Sequence, residues 1–471
     1  MTGVTTPPSP LQDAPACPWA EQARIRPDSI AFVDADRRCY TWRELDDWIR
    51  AREAWIASTN GPILHVPDRR VSDVALLAAS MRAGRDIVLV GSRMPEPQVA
   101  DILRRLGAVR STEADITPGS TAGPSTSLPM LSGATRLLTS GSTGNPRWIR
   151  HTARPHLSSA YSVIDALDLG PDDRWAWSLP MQHVGGLSIL WRCAVAGAAV
   201  VSPPATEDGT RWIVSENPNA PTHASLVPTQ LRDVLSRGVR PTHLKEVILG
   251  GASIAFELLQ HAAKQGWPVR TSYGMTETAS IVCLSARWTA EDVNRATHPW
   301  TNAPTVHAGQ PLPHAEVEID DSRIMVQSES LADGVADVDG WYATQDAGVL
   351  DDQGRLVVNG RLDRVIISGG ENIDPSLIEQ ALLRIPDIAT ATVIGVPDAR
   401  WGERPVAFVT MVSEDRPNQE AIRAALAESL ESFALPDHIL LHPEPQEGQL
   451  KVTLAELIRL ARAAEDEDST N

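Results

Sequence analysis

Along this chain, short runs of consecutive apolar residues alternate with stretches in which apolar side chains recur every three or four positions. Runs of the first kind suit strands buried on both faces, and the second kind suits helices with one covered stripe. Their repeated alternation predicts an α/β architecture with largely parallel sheets. Asp86–Gly91 (DIVLVG) reads as a strand, and Glu96–Leu106 as a helix entered through a proline-bearing turn. Strands are expected again at Ala134–Thr139 and Glu246–Leu249, and a helix at Pro155–Leu167, where Leu157, Ala160, Tyr161, Ile164 and Leu167 mark one face. Ser111–Ser132, rich in Ser, Thr, Pro and Gly, reads as a surface loop. No repeat of fixed period is visible.

From Val306 to Gly360 the texture changes to short alternating strands with tight turns, at Glu316–Ile319, Arg323–Val326 and Leu356–Val358, which predicts a small β-rich subdomain over 306–360. Beyond Gly360-Arg361 a compact α+β segment is expected, with strands at Val365–Ile367 and Ala391–Val396 and helices at Pro375–Leu383 and Gln419–Leu430. Leu362–Asn471 holds 9 basic and 20 acidic residues, a net charge of −11 out of −18 for the whole chain. That shift supports two domains, 1–361 and 362–471, joined near Arg361–Arg364. The ends, Met1–Pro18 and Ala463–Asn471, read as frayed and solvated.

The 471 residues exceed one ordinary core, and 42% hydrophobic against 22% charged is the balance of a globular chain. Its acidic balance argues against nucleic acid or an anionic membrane surface as the main partner. No apolar run approaches the ~20 residues of a spanning helix, and no membrane insertion is expected. Four cysteines, Cys17, Cys39, Cys193 and Cys283, stand at no metal-ligand spacing, so a reducing cytoplasm is the simplest home. The basic residues are 39 arginines and only three lysines, Lys245, Lys264 and Lys451, which makes each lysine informative.

Five segments hold candidate chemistry. In Leu138–Pro146 (LTSGSTGNP) a strand opens into small hydroxyl residues and glycines, which can turn backbone N–H groups and hydroxyls toward phosphate oxygens; alone, such a string is as well explained by a flexible turn. Arg147 and Arg150 follow closely and favour phosphate. Thr271–Ser280 (TSYGMTETAS) offers an aromatic ring at Tyr273, a hydroxyl at Thr276 and a carboxylate at Glu277 able to hold Mg²⁺, though a capped structural turn has the same composition. Gly250-Gly251-Ala252 after its strand would admit a flat base or simply form a turn. His183 in LPMQHVGGL either shapes a pocket or sits in the core, and Asp346 and Arg361 suit a ribose diol or ordinary turns. Lys451, in GQLKVTLAEL, is either a functional charge or a solvated residue before a helix.

In order, TSGSTGNPR, LPMQHVGGLSIL, GGA, TSYGMTET, YATQDAG, GRLDRVIISGGENIDPSLIE and the terminal Lys451 resemble the adenylate-forming superfamily of acyl- and aryl-CoA ligases, luciferases and carrier-protein adenylation domains. The short length, LPMQHVGGLSIL, SLVPTQL and SYGMTETAS are most similar to the 2-succinylbenzoate–CoA ligases of menaquinone biosynthesis. The resemblance implies a large N-terminal domain of layered α/β sheets plus a β-barrel, with a small mobile α+β lid. It also implies ATP, Mg²⁺ and CoA as cosubstrates and cofactor: a carboxylic acid is adenylated with release of pyrophosphate, then transferred to the thiol.

Carried over by motif, Thr139, Ser140, Gly141, Ser142, Thr143, Gly144 and Arg147 bind the triphosphate, while Gly250, Gly251, Ala252, Tyr273, Gly274 and Met275 border the adenosine. Thr276 contacts the α-phosphate, Glu277 holds Mg²⁺, Asp346 and Arg361 hold the ribose, and Lys451 neutralises charge in adenylation. Asp363 is the hinge, and Gly369 and Gly370 border the CoA tunnel. His183 joins the catalytic set at the acyl pocket, where Arg192 is a candidate partner for a second substrate carboxylate. Three positions depart from the usual pattern: Arg147 stands where lysine is usual, Gln345 where glycine precedes the ribose aspartate, and Leu450 where a glycine directly precedes the terminal lysine, with Gly448 further back. The alternatives are another aryl- or acyl-CoA ligase, a stand-alone carrier-protein adenylation enzyme and, as a non-enzyme, a decayed adenylate-binding sensor. A homo-oligomer is compatible with the sequence.

Overall fold

The computed structural model describes residues 16–111, 128–139, 147–204, 210–214, 217–238, 240–296, 305–385, 387–398, 400–412, 417–443, 452 and 454–469. Two sheets form the N-terminal part. In the larger, nine-stranded one, Val269–Met275, Glu246–Leu249, His223–Leu226, Arg174–Ala176, Ala199–Val201 and Ile30–Val33 lie side by side and parallel, with antiparallel strands added at both edges. The second, five-stranded, orders Val109–Arg110, Ile63–His65, Asp86–Leu89 and Ala134–Thr139 in parallel and ends on antiparallel Arg147–His151. Helices Val71–Arg82, Ala153–Leu167 and Val184–Ala196 share one core with both sheets, in which Ile87 and Leu137 come from one sheet and Trp175 and Ile248 from the other. Parallel strands need both faces covered, and a second core around Leu231, Leu259 and Trp267 covers the far side of the larger sheet.

The β-rich segment forms a four-stranded antiparallel ladder, Ala315–Asp320, Arg323–Ser328, Trp341–Leu350 and Leu356–Arg361, with the first and last strands at its ends. Trp341–Leu350 lacks the strict alternation that marks its neighbours, so only pairing reveals it as a strand. Past a short turn at Leu362–Arg364 lies a separate five-stranded sheet with helices Pro375–Leu383 and Gln419–Ala427 against it. Side chains join the two parts: Arg232 donates to the Ile388 carbonyl oxygen (3.2 Å) and Arg384 pairs with Glu257 (3.3 Å).

Most expected elements are present, several with shifted ends. The helix before Leu167 starts at Ala153, the strand expected at Ala391–Val396 runs from Ile388 to Asp398, and the helix from Gln419 stops at Ala427. The acidic tail is not a frayed end throughout: the helix Leu454–Ser469 continues into it, anchored by Leu457 and Ala461, four residues apart, against Ile394, Val396, Val406 and Phe408. Most of the expected loop 111–132 lies outside the described residues. Among the described residues no helix is long and apolar enough to cross a membrane.

Candidate active site

Two paired strands flank the candidate phosphate segment in sequence. Ala134–Thr139 runs out to Thr139, and Arg147–His151 returns antiparallel with Arg147 opposite Thr139, whose hydroxyl donates to the Arg147 carbonyl oxygen (3.3 Å). Ser140–Pro146, and with them Ser140, Gly141, Ser142, Thr143 and Gly144, lie outside the described residues, as does Lys451. Arg147 is exposed at the loop's mouth. Arg150 belongs elsewhere: it donates to Asp86 from Nε (3.0 Å) and pairs with Asp333, while Arg136 reaches the same Asp86 (2.7 Å). Burial alone would raise the Asp86 carboxyl, but the hydrogen bonds from Arg150 and Arg136 hold it below the usual range. Arg150 therefore braces the strand Arg147–His151 against Asp86 and Asp333, and the phosphate role expected for it is corrected.

The second wall is the turn after strand Val269–Met275. Residues Thr276–Thr278 form one 3-10 turn, and Thr278 Oγ1 accepts from the Met275 N–H (3.1 Å) while donating toward the Ser280 carbonyl oxygen (2.7 Å). Gly274 is required here because a Cβ would lie 1.9 Å from the Ser280 oxygen of the returning strand. Ala279 and Ser280 follow at φ 48° and 108°, left-handed conformations that non-glycine residues adopt only under constraint, on the order of 1–3 kcal/mol each. The backbone of Glu277 is tied down by the Ala332 N–H (2.8 Å), and that of Thr276 by His151, whose Nε2 donates to its carbonyl oxygen (2.7 Å). The Glu277 side chain is half-buried, and no described cation pairs with it.

Gly250-Gly251-Ala252 leaves strand Glu246–Leu249 beside Thr271–Tyr273, since Leu249 pairs with Thr271. Tyr273 itself is 9% exposed and packs with Val282, Cys283 and Ala308, so it is the hydroxyl that reaches the site, donating to Asp346 Oδ2 (2.7 Å). Asp346 lies opposite Arg361 in the ladder, and Arg361 Nη1 stands 3.5 Å from its Oδ1. Burial raises the Asp346 carboxyl despite the Tyr273 hydrogen bond and the Arg361 charge. Burial and the Glu277 and Asp346 charges push the Tyr342 hydroxyl up to about 12, against the opposing pull of Arg147 and Arg361.

Helix Val184–Ala196 forms the third wall. His183 is its exposed N-cap, and Gly186 lets the first turn press on Pro180, whose carbonyl oxygen would be 2.2 Å from a Cβ there. Arg192, two turns along, is 1% exposed. It donates from Nη2 to Ser280 Oγ (3.1 Å) and lies over the Trp175 ring (5.4 Å), and its Nε has no acceptor. No described carboxylate pairs with it, and burial pushes its guanidinium down to about 9. His314, its ring nitrogens both buried and neither within hydrogen-bond geometry of a partner, has its imidazole lowered to about 4 by burial and by the Arg192 charge, against the opposing pull of the Ile281 backbone. Sequence reasoning missed His314, Ser280 and His151; the one local signal was a histidine at the inward-facing end of the Arg147–His151 strand.

At the domain junction, Arg361 donates from Nε and Nη2 to the Asp363 carboxylate (2.8 and 2.7 Å). Gly360, at φ 147°, passes so close to Asp374 that a Cβ would lie 2.6 Å from its Oδ2. Gly369 and Gly370 form an exposed turn in the second part, with the Trp401 ring against Gly369.

Among the described residues no cluster of three or more His, Cys, Asp or Glu side chains could enclose a metal. Glu277, a carboxylate with no cation partner among the described residues, instead suits Mg²⁺, which commonly keeps its waters and is held through one carboxylate and substrate phosphates.

A Thr-Glu turn after a parallel strand, a Tyr-Asp-Arg cluster where that strand's Tyr273 meets the antiparallel ladder, and a small α+β domain beyond fit an ATP-using adenylating enzyme. The chain belongs to the AMP-binding enzyme family, whose profile matches residues 111–334, with the AMP-binding enzyme C-terminal domain matching 377–448. The 2-succinylbenzoate–CoA ligase of Escherichia coli is 32% identical over 463 residues, 93% of this chain and 96% of that protein. Its counterpart in Salmonella typhimurium is 39% identical over 286 residues, a match spanning 59% of this chain and 58% of that relative. Two solved structures are similar over nearly the whole chain. Wild-type E. coli MenE with an m-phenylether-linked analogue of OSB-AMS has a TM-score of 0.71 at 28% identity, covering 95% and 99% of the two chains. Bacillus subtilis O-succinylbenzoate coenzyme A synthetase with ATP and magnesium ion has a TM-score of 0.78 at 25% identity, covering 93% and 98%.

Proposed function

We propose that this chain is an AMP-forming acid–thiol ligase that converts 2-succinylbenzoate to 2-succinylbenzoyl-CoA in menaquinone biosynthesis. The observation that carries the substrate is Arg192, a buried guanidinium with no carboxylate partner among the described residues, at the wall shared with the Thr276–Glu277 turn. A lone buried charge is costly unless a ligand completes it. 2-Succinylbenzoate brings two carboxylates: one reacts, and the other stays ionised and can pair with Arg192, with Ser280 and His314 beside it.

In the first half-reaction a carboxylate oxygen attacks the α-phosphorus of ATP, the bond to the β-phosphate oxygen breaks, and pyrophosphate leaves. Thr139 to Gly144 and Arg147 hold the triphosphate, with Thr276 at the α-phosphate. Gly250, Gly251, Ala252, Tyr273, Gly274 and Met275 border the adenosine, and Asp346, oriented by the Tyr273 hydroxyl and joined by Arg361, accepts from the ribose diol. Glu277 would hold Mg²⁺, which when bound offsets phosphate charge. Lys451 supplies a compact positive charge between carboxylate and α-phosphate.

In the second half-reaction the CoA thiol loses its proton, its sulfur attacks the acyl carbon, and the acyl–oxygen bond to AMP breaks. We assign residues 1–361 to the ATP- and acyl-binding domain and 362–471 to a lid that turns at Asp363 and brings Gly369-Gly370 to the thiol channel. His183 shapes the acyl pocket at the open end of its helix. The four cysteines are all free, which suits a cytoplasmic setting.

The test is pyrophosphate release across a panel of carboxylic acids, followed by CoA and mass measurement of the thioester. 2-Succinylbenzoate should lead the panel, with analogues lacking the second carboxylate far behind. Equal use of a monocarboxylic analogue overturns the substrate, and acyl transfer only to a carrier-protein phosphopantetheine overturns the acceptor.

A further inference from the structure

His151 and His156 are fully enclosed, at 0% and 2% exposure, and neither lies in a motif used above. Each has a hydrogen bond from Nε2 only: His151 to the Thr276 carbonyl oxygen (2.7 Å) and His156 to Thr135 Oγ1 (2.8 Å). Both Nδ1 atoms are buried with no partner. A core position chosen for packing alone would avoid that penalty with leucine or phenylalanine. The single bond each ring makes is therefore the reason to look for its role.

The two rings also stack in series. His156 lies face to face with Trp191 (centroids 4.9 Å apart, planes at 14°), and His151 leans on His156 (5.1 Å, 49°). Trp191 directly precedes Arg192 on the helix of the acyl wall. Thr135 stands on the strand that opens into the phosphate-type loop, and Thr276 begins the Thr-Glu turn. The series therefore connects the acyl wall, the phosphate strand and the Thr-Glu turn within one buried column. A backbone carbonyl only accepts, so His151 presents Nε2–H to it, and the stacked rings leave that N–H one direction. Without this bond, the Thr276–Glu277 turn keeps its strained exit through Ala279 and Ser280 but loses a fixed point at its start.

We propose that His151 is a positioning residue for the nucleotide: by holding the Thr276 carbonyl it sets where the Thr276 hydroxyl and the Glu277 carboxylate meet Mg·ATP, and His156 on Trp191 sets the angle of its ring. This rests on the assignment of Thr276 and Glu277 to the nucleotide made above. Nothing in it requires His151 to touch substrate.

Calorimetric titration with Mg·ATP, run on the full-length protein without any acid, reads the effect directly. His151→Leu should weaken Mg·ATP binding about five- to tenfold, the scale of one net hydrogen bond. His151→Gln, whose side-chain N–H can reach where Nε2–H was, should recover most of the loss, although leucine is the better core residue. Thioester formation from preformed acyl-adenylate should change less than pyrophosphate release. The inference is overturned if His151→Leu binds Mg·ATP within twofold of the parent, or if the Gln and Leu variants are equally impaired. Glu277→Gln separates the two readings: if it weakens Mg·ATP while His151→Leu does not, this inference alone fails. Should Glu277→Gln leave binding unchanged, the nucleotide assignment falls, and this inference with it.

Discussion

Arg361 forks onto Asp363 with both of its outer contacts, at 2.8 and 2.7 Å, and stands 3.5 Å from Asp346. The cation proposed for the ribose is thus shared with the residue proposed as the hinge, so under that proposal nucleotide binding and lid position would compete for one guanidinium. Asp363→Pro should fix φ, restrict Leu362 as well, and lower thioester formation about tenfold more than adenylation, as for a blocked gating motion. Asp363→Ala removes the fork but keeps the backbone free, so it should cost little in either half-reaction, because exposed ion pairs are worth about 0–1 kcal/mol. Equal loss of both half-reactions in the proline variant would mean that it merely damages the fold.

Glu277→Gln keeps the shape of the turn and removes the anionic oxygen. Pyrophosphate release should fall about tenfold or more at ordinary magnesium and recover partly as magnesium is raised, because a hard cation loses affinity with the carboxylate proposed to hold it. An unchanged magnesium titration would remove Glu277 from the metal site.

Arg192→Met replaces a buried guanidinium by an apolar chain of similar length. The KM for 2-succinylbenzoate should rise on the order of 10²-fold, while the thermal midpoint holds or rises, since apolar replacement of a buried charge is often neutral or stabilising. An unchanged KM with a lowered midpoint would make Arg192 a structural residue.

Lys451→Ala and Lys451→Arg should both lose adenylation by about 10²-fold or more, the scale of one preorganised charge contact. In a chain with 39 arginines and three lysines, a lysine there points to a site that a planar guanidinium does not fit. Near-normal pyrophosphate release by the arginine variant would move the adenylation charge elsewhere.

Buried histidines should make stability fall as the solution is acidified. Burial, the largest cause in each case, lowers His151, His223, His307 and His314 from 6.5 to about 4. Between those values the unfolded chain binds more protons than the folded one, so stability is full above 6.5 and declines toward 4, by up to about 1.4 kcal/mol per pH unit per histidine. Denaturant midpoints at pH 7, 5.5 and 4.5 check this, with His314→Leu expected to flatten the slope. A midpoint constant down to pH 4.5 would contradict it.

What the sequence determined by itself was local or ordered. Apolar runs and helical spacing placed Glu96–Leu106, Ala134–Thr139, Glu246–Leu249 and Pro375–Leu383 to the residue, because each buries a face whose period is written in its own side chains. Motif order supplied the residues proposed for the nucleotide, because such segments are marked by glycines and hydroxyls at short range. Tertiary structure decided everything that joins distant segments. Tyr273 meets Asp346 across 73 positions, and His151 meets Thr276 across 125. Arg150 turned from a phosphate candidate into a brace only because Asp86, 64 positions away, reaches it first. Arg192 gained its meaning the same way, since a charge is costly only once packing from several strands and helices has shut water out and left it no anion, and no residue's neighbours in sequence record that.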